Sequence, residues 1–231
     1  MSSVETEKVG PEVKKTSERI PAAERRELIL DAATAVFADR GYAGATTDQI
    51  AKAASISQPY VVRMFGTKEK LFLEALDRAL EKLLGMFRSV IAAYDARELD
   101  EQIAALGPEL GGNRTEQLMP LLGAGYADLI KDRGILMMLM QAFVTGHEPA
   151  IGARAREGFL EVYRVIREEA GVSAEAARDF LAQGMLMNTL LSIRLPEVYE
   201  VSEIAGELLD CTLKTKLPLI LQASREHRLL D

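Results

Sequence analysis

The sequence predicts an all-α fold of about nine helices, arranged as a three-helix head, a long connecting helix and a helical body. Apolar residues recur at helical spacing in segments that Gly and Pro separate. Ala, Leu and Glu are abundant whereas aromatic residues make up 6% of the chain, a composition that favours helices. No stretch alternates apolar and polar residues between hairpin turns, so we expect no sheet.

The composition excludes several classes of protein. The chain has 231 residues, enough to bury a sizeable core without disulfides or metal ions. Its only cysteine, Cys211, excludes an internal disulfide framework, and the isolated His147 and His227 predict no metal site. The longest uncharged runs, 134–147 and 180–193, are shorter than the roughly 20 residues that span a bilayer. Because the N-terminus also lacks an apolar signal region, we expect a cytoplasmic protein with no membrane partner.

Charge is unevenly distributed along the chain. The formal net charge is −7, which by itself argues against a nucleic-acid partner. Residues 1–75, however, hold 11 basic and 11 acidic residues, whereas residues 76–231 hold 17 and 24. A neutral N-terminal module on an acidic body is therefore compatible with binding to DNA.

Three regions follow from the pattern of apolar and polar residues. Residues 1–20 mix Ser, Glu, Lys, Gly and Pro without periodicity, which predicts a flexible tail. Residues 21–68 form the predicted head, whose first helix over 22–40 carries apolar residues at helical spacing and is followed by a C-cap glycine, Gly41. Residues 69–231 form the predicted body.

Two short helices joined by a tight turn follow the first helix. Thr46 and Gln49 form a T-x-x-Q capping box that opens the second helix. Ser57 is the predicted N-cap of the third helix, and Pro59 is tolerated in its first turn. The turn between them is Ala54-Ser55-Ile56. This layout is typical of a helix-turn-helix, in which one helix braces a second that enters the major groove of DNA.

The exposed positions of the third helix are occupied by Gln58, Tyr60 and Arg63, which can contact bases or phosphates. The N-termini of helices also approach phosphates. We therefore predict double-stranded DNA as a partner. The predicted DNA-binding residues are Thr46, Thr47, Ser57, Gln58, Pro59, Tyr60, Arg63 and Lys68.

Across about residues 25–75 these features occur in a fixed pattern. The chain reads Ile29-x-x-Ala32-Ala33-x-x-x-Phe37-x-x-x-Gly41-Tyr42, then Thr46-x-x-x-Ile50-Ala51-x-x-Ala54-x-Ile56-Ser57, then Arg63-x-Phe65-x-x-Lys68-Glu69-x-Leu71-Phe72. This pattern resembles the TetR family of bacterial transcriptional repressors. The resemblance implies a homodimeric repressor that binds a palindromic operator and is released from it by a small-molecule ligand.

The chain departs from the family's pattern in the turn and in the third helix. Ser55, after Ala54, stands where the family commonly has Gly. Val61-Val62 replaces a frequent Leu-Tyr pair, so the usual phosphate-touching tyrosine is missing, and Met64 replaces a frequent His or Tyr. Tyr60 is therefore the candidate for the aromatic contact with DNA.

Two groups of basic residues have open interpretations. Lys68 lies in the first turn of a helix, where the helix dipole disfavours a cation, and the resemblance implies a phosphate nearby. Basic residues around the start of the first helix form either an arm for the minor groove or, because Glu residues lie among them, a solvated tail. We favour the tail. These residues are Lys14, Lys15, Arg19, Arg25 and Arg26.

The segment 173–194 is apolar all round, so it must be buried on two faces. One face carries Phe180, Gly184, Met187 and Leu191, and the opposite face carries Ala182, Leu186, Leu190 and Ile193. One face is expected to meet its own domain and the other a partner. With Ile204, Leu208 and Cys211 on the next helix, this predicts a four-helix homodimer interface, as the resemblance also implies. The alternative is burial inside a larger monomeric bundle.

The segment 136–143 is too apolar for a surface helix and holds three of the nine methionines. Methionine suits surfaces that adapt to varied ligands, so we predict a pocket for a hydrophobic, largely uncharged small molecule. The alternative is an ordinary core. The predicted ligand-binding residues are Met119, Tyr126, Met137, Met140, Gln141, Phe143, Phe159, Tyr163, Met185 and Asn188.

Two other functions fit the sequence less well than regulation of transcription. A helical protein-interaction module without DNA binding would use the same head to bind another protein. An enzyme is the least supported, because the sequence has no glycine-rich phosphate loop, no Gly-x-Ser-x-Gly and no His-Glu-x-x-His. We therefore predict no catalytic residues and no cofactor.

Overall fold

The structure, a computed structural model, describes residues 21–107, 112–129 and 133–228, and these ranges contain eleven α-helices and no strand. The all-α prediction is confirmed, although the predicted number of helices was too low. The helices are α1 Ala22–Gly44, α2 Thr47–Ala53, α3 Gln58–Phe65, α4 Lys68–Asp95, α5 Asp100–Ala105, α6 Arg114–Leu129, α7 Arg133–Val144, α8 Pro149–Arg164, α9 Ala174–Ser192, α10 Glu203–Leu213 and α11 Leu217–Arg228.

Two features explain why the sequence pattern gave fewer helices. The six-residue α5 buries none of its side chains, so it carries no apolar periodicity. α10 and α11 are separated by a single 3-10 turn, Lys214–Lys216, which leaves no long polar linker between them. A π-helical turn, Val165–Glu169, continues α8, and a second 3-10 turn, Leu195–Val198, follows α9.

Helix α1 is interrupted at Gly41, whose φ of 69° and ψ of 172° are non-helical. Glycine adopts this positive φ at little cost because it has no Cβ. The helix therefore breaks at the predicted C-cap glycine, and the chain makes one more turn up to Gly44. A Cβ at Gly41 would also lie 3.1 Å from Oε1 of Gln141, because α7 packs closely against α1.

Aromatic rings and an ion pair fix α1 to the start of α4. The ring of Phe72 makes edge-to-face contacts with the rings of Phe37 and Tyr42, at centroid distances of 4.9 and 5.2 Å. Arg26 of α1 pairs with Glu74 of α4. The three-helix head therefore rests on the first turns of α4.

Helices α4 and α7 connect the head to the body. α4 has 28 residues and buries apolar side chains from Leu71 to Ile91, first against the head and then against the body. α7 packs against both α1 and α4. The predicted division between head and body, at residues 68–69, falls in the first turn of α4, so the two regions share this helix.

Two predictions at the N-terminus have different outcomes. The predicted tail, 1–20, with Lys14, Lys15 and Arg19, lies outside the described residues. Arg25 and Arg26 lie in the first turns of α1, where Arg26 is held by its ion pair with Glu74.

Among the described helices, none combines the length and the apolar character needed to cross a membrane.

Candidate nucleic-acid interface and body cavities

Helix α2 begins with the predicted capping box. The Gln49 N–H donates to Oγ1 of Thr46 at 3.2 Å, and the Thr46 N–H donates to Oε1 of Gln49 at 3.0 Å. These two bonds satisfy backbone donors that the helix itself leaves unpaired. The start of α2 is therefore held in one conformation by side chains of the helix itself.

The turn after α2 is a Schellman motif. The Ser55 N–H donates to the Lys52 carbonyl at 3.1 Å, and the Ile56 N–H donates to the Ala51 carbonyl at 2.9 Å. Ser55 has a φ of 55°, in the left-handed region. Glycine is the usual residue at this position of the motif because a Cβ is disfavoured there. The missing turn glycine therefore leaves Ser55 in a strained conformation.

Helix α3 has one buried face and one exposed face. Val61 and Phe65 are buried, whereas Gln58, Pro59 and Arg63 are exposed. The chain enters the helix at Ser57, as predicted, but the Ser57 hydroxyl makes no capping bond. The exposed face is thus the one predicted to contact DNA.

A side-chain bond connects the starts of α2 and α3. Nε2 of Gln58 donates to Oγ1 of Thr47 at 3.2 Å. Thr46, Ser57 and Gln58 are exposed around it, so the structure brings these predicted residues together at the N-termini of both helices. Helix N-termini carry partial positive charge and unpaired N–H groups, which are suited to phosphate oxygens.

Tyr60 lies between two arginines. The guanidinium of Arg25 lies 4.7 Å from the centroid of the Tyr60 ring, and that of Arg63 lies 4.8 Å from it. These are cation–π distances, and the ring therefore holds two positive charges beside α3. We call Arg25, Tyr60 and Arg63 the arginine–tyrosine cluster. Sequence reasoning placed Arg25 with the tail and missed its contact with Tyr60.

Lys68 is held by the end of α1. Its Nζ donates to the carbonyl of Tyr42 at 2.8 Å and to that of Ala45 at 3.2 Å, and it lies 4.6 Å from the centroid of the Tyr42 ring. Carbonyl oxygens at a helix C-terminus attract a cation. These contacts explain a lysine in the first turn of α4 without a phosphate, and a phosphate near Lys68 stays a prediction.

The body contains a cavity of about 60 Å³ between α4 and α6–α9, which we call the inner cavity. The Tyr126 hydroxyl donates to Oδ1 of Asn188 at 2.7 Å at its wall, and both residues are buried. Burial raises the pKa of Tyr126 to about 12. The remaining wall is apolar and includes Phe143, Phe159 and Met185.

A second cavity, of about 270 Å³, lies between α6, α9 and the junction of α10 with α11. Met119 lines it together with Lys216, and we call it the lysine cavity. Burial, and to a smaller extent the charge of Lys214, lowers the pKa of the Lys216 ammonium. Lys216 was not among the predicted ligand-binding residues, and it adds a charged group to the lining of this cavity.

The head matches a family model, and the likeness to named proteins is concentrated there. Residues 29–75 match the model described as bacterial regulatory proteins, tetR family. A segment of 73 residues is 40% identical to the HTH-type transcriptional activator FasR of Mycolicibacterium smegmatis, and covers 32% of this chain and 33% of that protein. The head of this chain is a TetR-family domain. The chain thus spans about a third of the length of this curated relative.

Two further comparisons extend the likeness of the TetR-family head. A segment of 86 residues is 36% identical to the HTH-type transcriptional repressor KstR2 of Rhodococcus jostii, and covers 37% of this chain and 42% of that protein. A transcriptional regulator from Rhodococcus sp. Rha1 has a solved structure that aligns with a TM-score of 0.56 at 21% identity, over 85% of this chain and 96% of that one. At this identity the structural likeness shows the fold, and it includes the body.

The predicted ligand-binding residues fall into two groups: those that line one of the two cavities and those that line neither. Tyr126, Phe143, Phe159, Met185 and Asn188 line the inner cavity, and Tyr126 and Met119 line the lysine cavity. The other predicted residues, Met137, Met140, Gln141 and Tyr163, line neither cavity.

Three of the four predicted residues that line neither cavity lie on α7, and the packing of this helix places them elsewhere. Gln141 lies against Gly41 because α7 contacts the head as well as the body. Sδ of Met137 lies 3.5 Å from Oγ of Ser192, which places it beside the end of α9. Met140 and Tyr163 are half-buried away from both cavities. An apolar segment shows that α7 is buried but not which side faces a cavity, and a ligand-binding role of these four residues stays a prediction.

An apolar surface runs over α9, the following 3-10 turn and α10. Leu186 and Ile193, on the face of α9 that also carries Ala182, are 41% and 63% exposed, whereas Leu190 is buried by its own chain. On α10, Ile204 is 79% exposed and Leu208 is 37% exposed. We call these four exposed residues, with Val198, Val201 and Cys211, the apolar face.

Proposed function

We propose that the chain is a DNA-binding transcriptional regulator that acts as a homodimer on a palindromic operator. The observation that carries the proposal is the exposed face of α3 inside a TetR-family head. This face offers Gln58 and Arg63, whose side chains match the edges of adenine and guanine. A protein that binds the chromosome works in the cytoplasm, and the proposal includes this location.

The head residues have distinct roles in the proposal. Arg63 and Gln58 read base edges in the major groove, and Tyr60 aligns Arg63 and Arg25 for contact with the DNA. Thr46, Thr47 and Ser57 lie at helix starts, where backbone N–H groups meet phosphates. Pro59 has no backbone N–H, and its exposed ring lies in the first turn of α3 beside them. Lys68 acts as a positioning residue, because its ammonium joins the end of α1 to the start of α4. A direct phosphate contact of Lys68 stays a prediction.

The homodimer is formed by the apolar face in this proposal. Exposed Ile204 and Ile193 are large apolar side chains on neighbouring elements, and a contiguous apolar surface of this kind is typical of an interface. A two-fold axis through this face would pair α9 and α10 with their copies in a four-helix arrangement. Two heads related by a two-fold axis require an operator with the same symmetry.

A small molecule with a large apolar part occupies the body in this proposal and controls the head. α7 lines the inner cavity with Phe143 and contacts Gly41 of α1 through Gln141, so a displacement of α7 reaches both regions. A ligand that binds the DNA-free arrangement more tightly releases the operator. FasR is named an activator and KstR2 a repressor, and we propose repression for this chain.

A gel-shift titration with DNA flanking the chain's own gene tests the proposal. Arg63→Ala should weaken binding by about 1–3 kcal/mol, because it removes a contact with a base edge. Arg88→Ala is the matched control, since it removes the same charge from an exposed ion pair with Glu169 in the body. If no fragment is shifted, or if both variants bind like the wild type, the head does not read DNA as described. A stable complex with another protein at the same face would then favour the interaction module.

Light scattering at micromolar concentration tests the homodimer. The wild type should give twice the monomer mass of 25.4 kDa, and Ile204→Asp should give the monomer mass. Val144→Asp is the control, because Val144 is 68% exposed at the end of α7, outside the apolar face. A monomeric wild type would contradict the dimer. As a second measurement, the exposed Cys211 on the apolar face should react more slowly with a thiol reagent in the dimer than in the Ile204→Asp monomer.

A further inference from the structure

The lysine cavity combines an apolar wall with a small polar end. Phe180 and Met187 contribute to the apolar wall, whereas Gln183, Thr212 and Lys216 lie at the polar end. Its volume of about 270 Å³ is close to the lower limit of the range of small-molecule sites, about 300 Å³. Few but well-placed polar groups in an apolar cavity are typical of such sites. The chemistry of the polar end therefore indicates which ligand fits.

The Lys216 ammonium lies over the backbone of α6. A Cβ at Gly123 would overlap Nζ of Lys216, so the absence of a side chain at Gly123 makes room for the charge. Among the residues that the structure describes, no carboxylate pairs with this ammonium, and the nearest charge that affects it is the like charge of Lys214. A half-buried cation without a counter-charge is unfavourable, and burial accordingly lowers the pKa of Lys216. An anion in the cavity would remove this cost.

The two cavities share part of their walls. Tyr126, Phe180 and Gly184 line both the inner cavity and the lysine cavity. Gly184 has no side chain to separate the cavities, and the two aromatic rings are the groups that do. A ligand with its polar end at Lys216 would therefore reach past these rings towards Phe87 and Phe159 of the inner cavity.

We propose that the ligand of this body is an amphipathic carboxylate, with its carboxylate on Lys216 and its apolar part between Tyr126 and Phe180. The proposal rests on the ligand-responsive function proposed above and names the chemical class of the ligand. Lys214 also lines the cavity but is exposed, so Lys216 supplies its one half-buried positive charge, which matches a singly charged carboxylate. Gln183 and Thr212 offer further hydrogen bonds to the second carboxylate oxygen.

Calorimetric titration of the full chain with sodium dodecanoate and with dodecan-1-ol, both below their micellar or solubility limits, tests the proposal. The two probes both have twelve carbons in a linear chain and differ in the polar end, which is a charged carboxylate in one and a neutral hydroxyl in the other. The wild type should bind dodecanoate about 10- to 100-fold more tightly than dodecanol, as expected for a hydrogen bond between charged groups. Equal affinities or a preference for dodecanol would overturn the assignment. Failure of both probes to bind, together with failure of a second amphipathic carboxylate, 2-naphthoate, would also overturn it.

Substitutions at the two neighbouring lysines locate the charge that matters. Lys216→Met keeps the length of the side chain and should abolish the preference for dodecanoate while leaving dodecanol binding within about 3-fold. Lys214→Met, which removes a charge from the same turn, should change the preference by less than about 3-fold. An unchanged preference in Lys216→Met would overturn the proposal. If circular dichroism shows that Lys216→Met is unfolded, the affinities of the two probes are compared for the wild type and for Lys216→Arg instead. Both of these proteins keep the positive charge and should prefer dodecanoate, and a loss of the preference in either would overturn the proposal.

Operator binding separates this proposal from the one on which it depends. If the wild type shifts operator DNA but shows no preference for dodecanoate, the amphipathic carboxylate is wrong and the regulator function stands. If dodecanoate binds with the predicted dependence on Lys216 but no DNA is shifted, the regulator function is wrong and the ligand class stands. Release of bound operator by dodecanoate, absent in Lys216→Met, would support both.

Discussion

The head and the body of this chain use their polar groups in opposite ways. In the head, the basic side chains on and around the proposed DNA-binding face are already engaged: Lys68 binds carbonyl oxygens, Arg63 and Arg25 lie on Tyr60, and Arg26 pairs with Glu74. In the body, Lys216 lies in a cavity without a counter-charge among the described residues. The head is thus pre-arranged for a surface partner, whereas the body keeps internal space and an unpaired charge for a ligand.

This difference indicates where stability and response are located. Contacts such as Phe37 on Phe72 fix α1 of the head to the start of α4. The cavities in the body forfeit packing contacts, so their walls can move at low cost. In the proposed function, a signal would therefore arise in the body and reach the head through α4 and α7, which contact both regions.

The largest effect is expected from a glycine at which the body is closely packed. A Cβ at Gly152 of α8 would overlap the carbonyl oxygen of Gly146, and a backbone atom cannot move aside easily. Gly152→Ala should therefore lower the free energy of unfolding by about 3 kcal/mol or more, measured by urea denaturation. Gly85→Ala in α4 is the control, because no atom lies within 4 Å of a Cβ there. It should instead raise stability by roughly 0.5–1 kcal/mol, and equal effects of the two substitutions would contradict the packing argument.

The next effect tests the polar wall of the inner cavity. Tyr126→Phe removes the hydroxyl that donates to Asn188 and leaves the buried Oδ1 of Asn188 unpaired. The free energy of unfolding should therefore fall by about 1–3 kcal/mol at neutral pH. Tyr163→Phe is the control at a half-buried tyrosine outside both cavities. A loss in Tyr163→Phe as large as that in Tyr126→Phe would show that the buried bond is not the cause.

The same tyrosine gives the wild type a specific dependence on pH. The folded pKa of Tyr126 is about 12 and the ordinary pKa of a tyrosine is 10.0, so between these values the unfolded chain loses a proton that the folded chain keeps. Stability contributed by Tyr126 is therefore complete below pH 10 and is lost as the pH rises towards 12. The loss amounts to about 2–3 kcal/mol. The difference in stability between the wild type and Tyr126→Phe should shrink over this range, and a constant difference would contradict the raised pKa.

Local features of the head were predictable from sequence, whereas the polar end of the lysine cavity was not. The Thr46–Gln49 capping box and Gly41 act over three or four residues, so their spacing in the sequence is enough to identify them. The approach of Lys216 to Gly123 depends on how distant helices pack, and nothing near residue 216 signals it. For the same reason Gln141, in an apolar segment, was expected in the pocket and lies instead against the head.

A smaller effect distinguishes two roles of Lys68 in the head. Lys68→Met removes the bonds to the Tyr42 and Ala45 carbonyls and should lower the stability of the chain by about 1–2 kcal/mol. Operator affinity should fall at every salt concentration. If Lys68 only positions the head, the slope of log affinity against log salt stays unchanged, and if it also contacts a phosphate, the slope falls by about one counterion. Lys70→Met, on the exposed side of the same turn, is the control for the loss of one charge.

The smallest effect is a gain in stability at the turn of the helix-turn-helix. Ser55 has a φ of 55°, where an L-residue is disfavoured by about 1–2 kcal/mol relative to its usual conformations. Ser55→Gly removes this strain but adds flexibility to the unfolded chain, which costs part of the gain. The net increase in the free energy of unfolding should be about 0.5–1 kcal/mol, with operator affinity unchanged because Ser55 lies outside the proposed contacts. Ser57→Gly, at a φ of −70°, has no such strain to release and should not stabilise the chain. If both glycines raise stability equally, or if Ser55→Gly lowers it, the left-handed turn is not a strained point of the head.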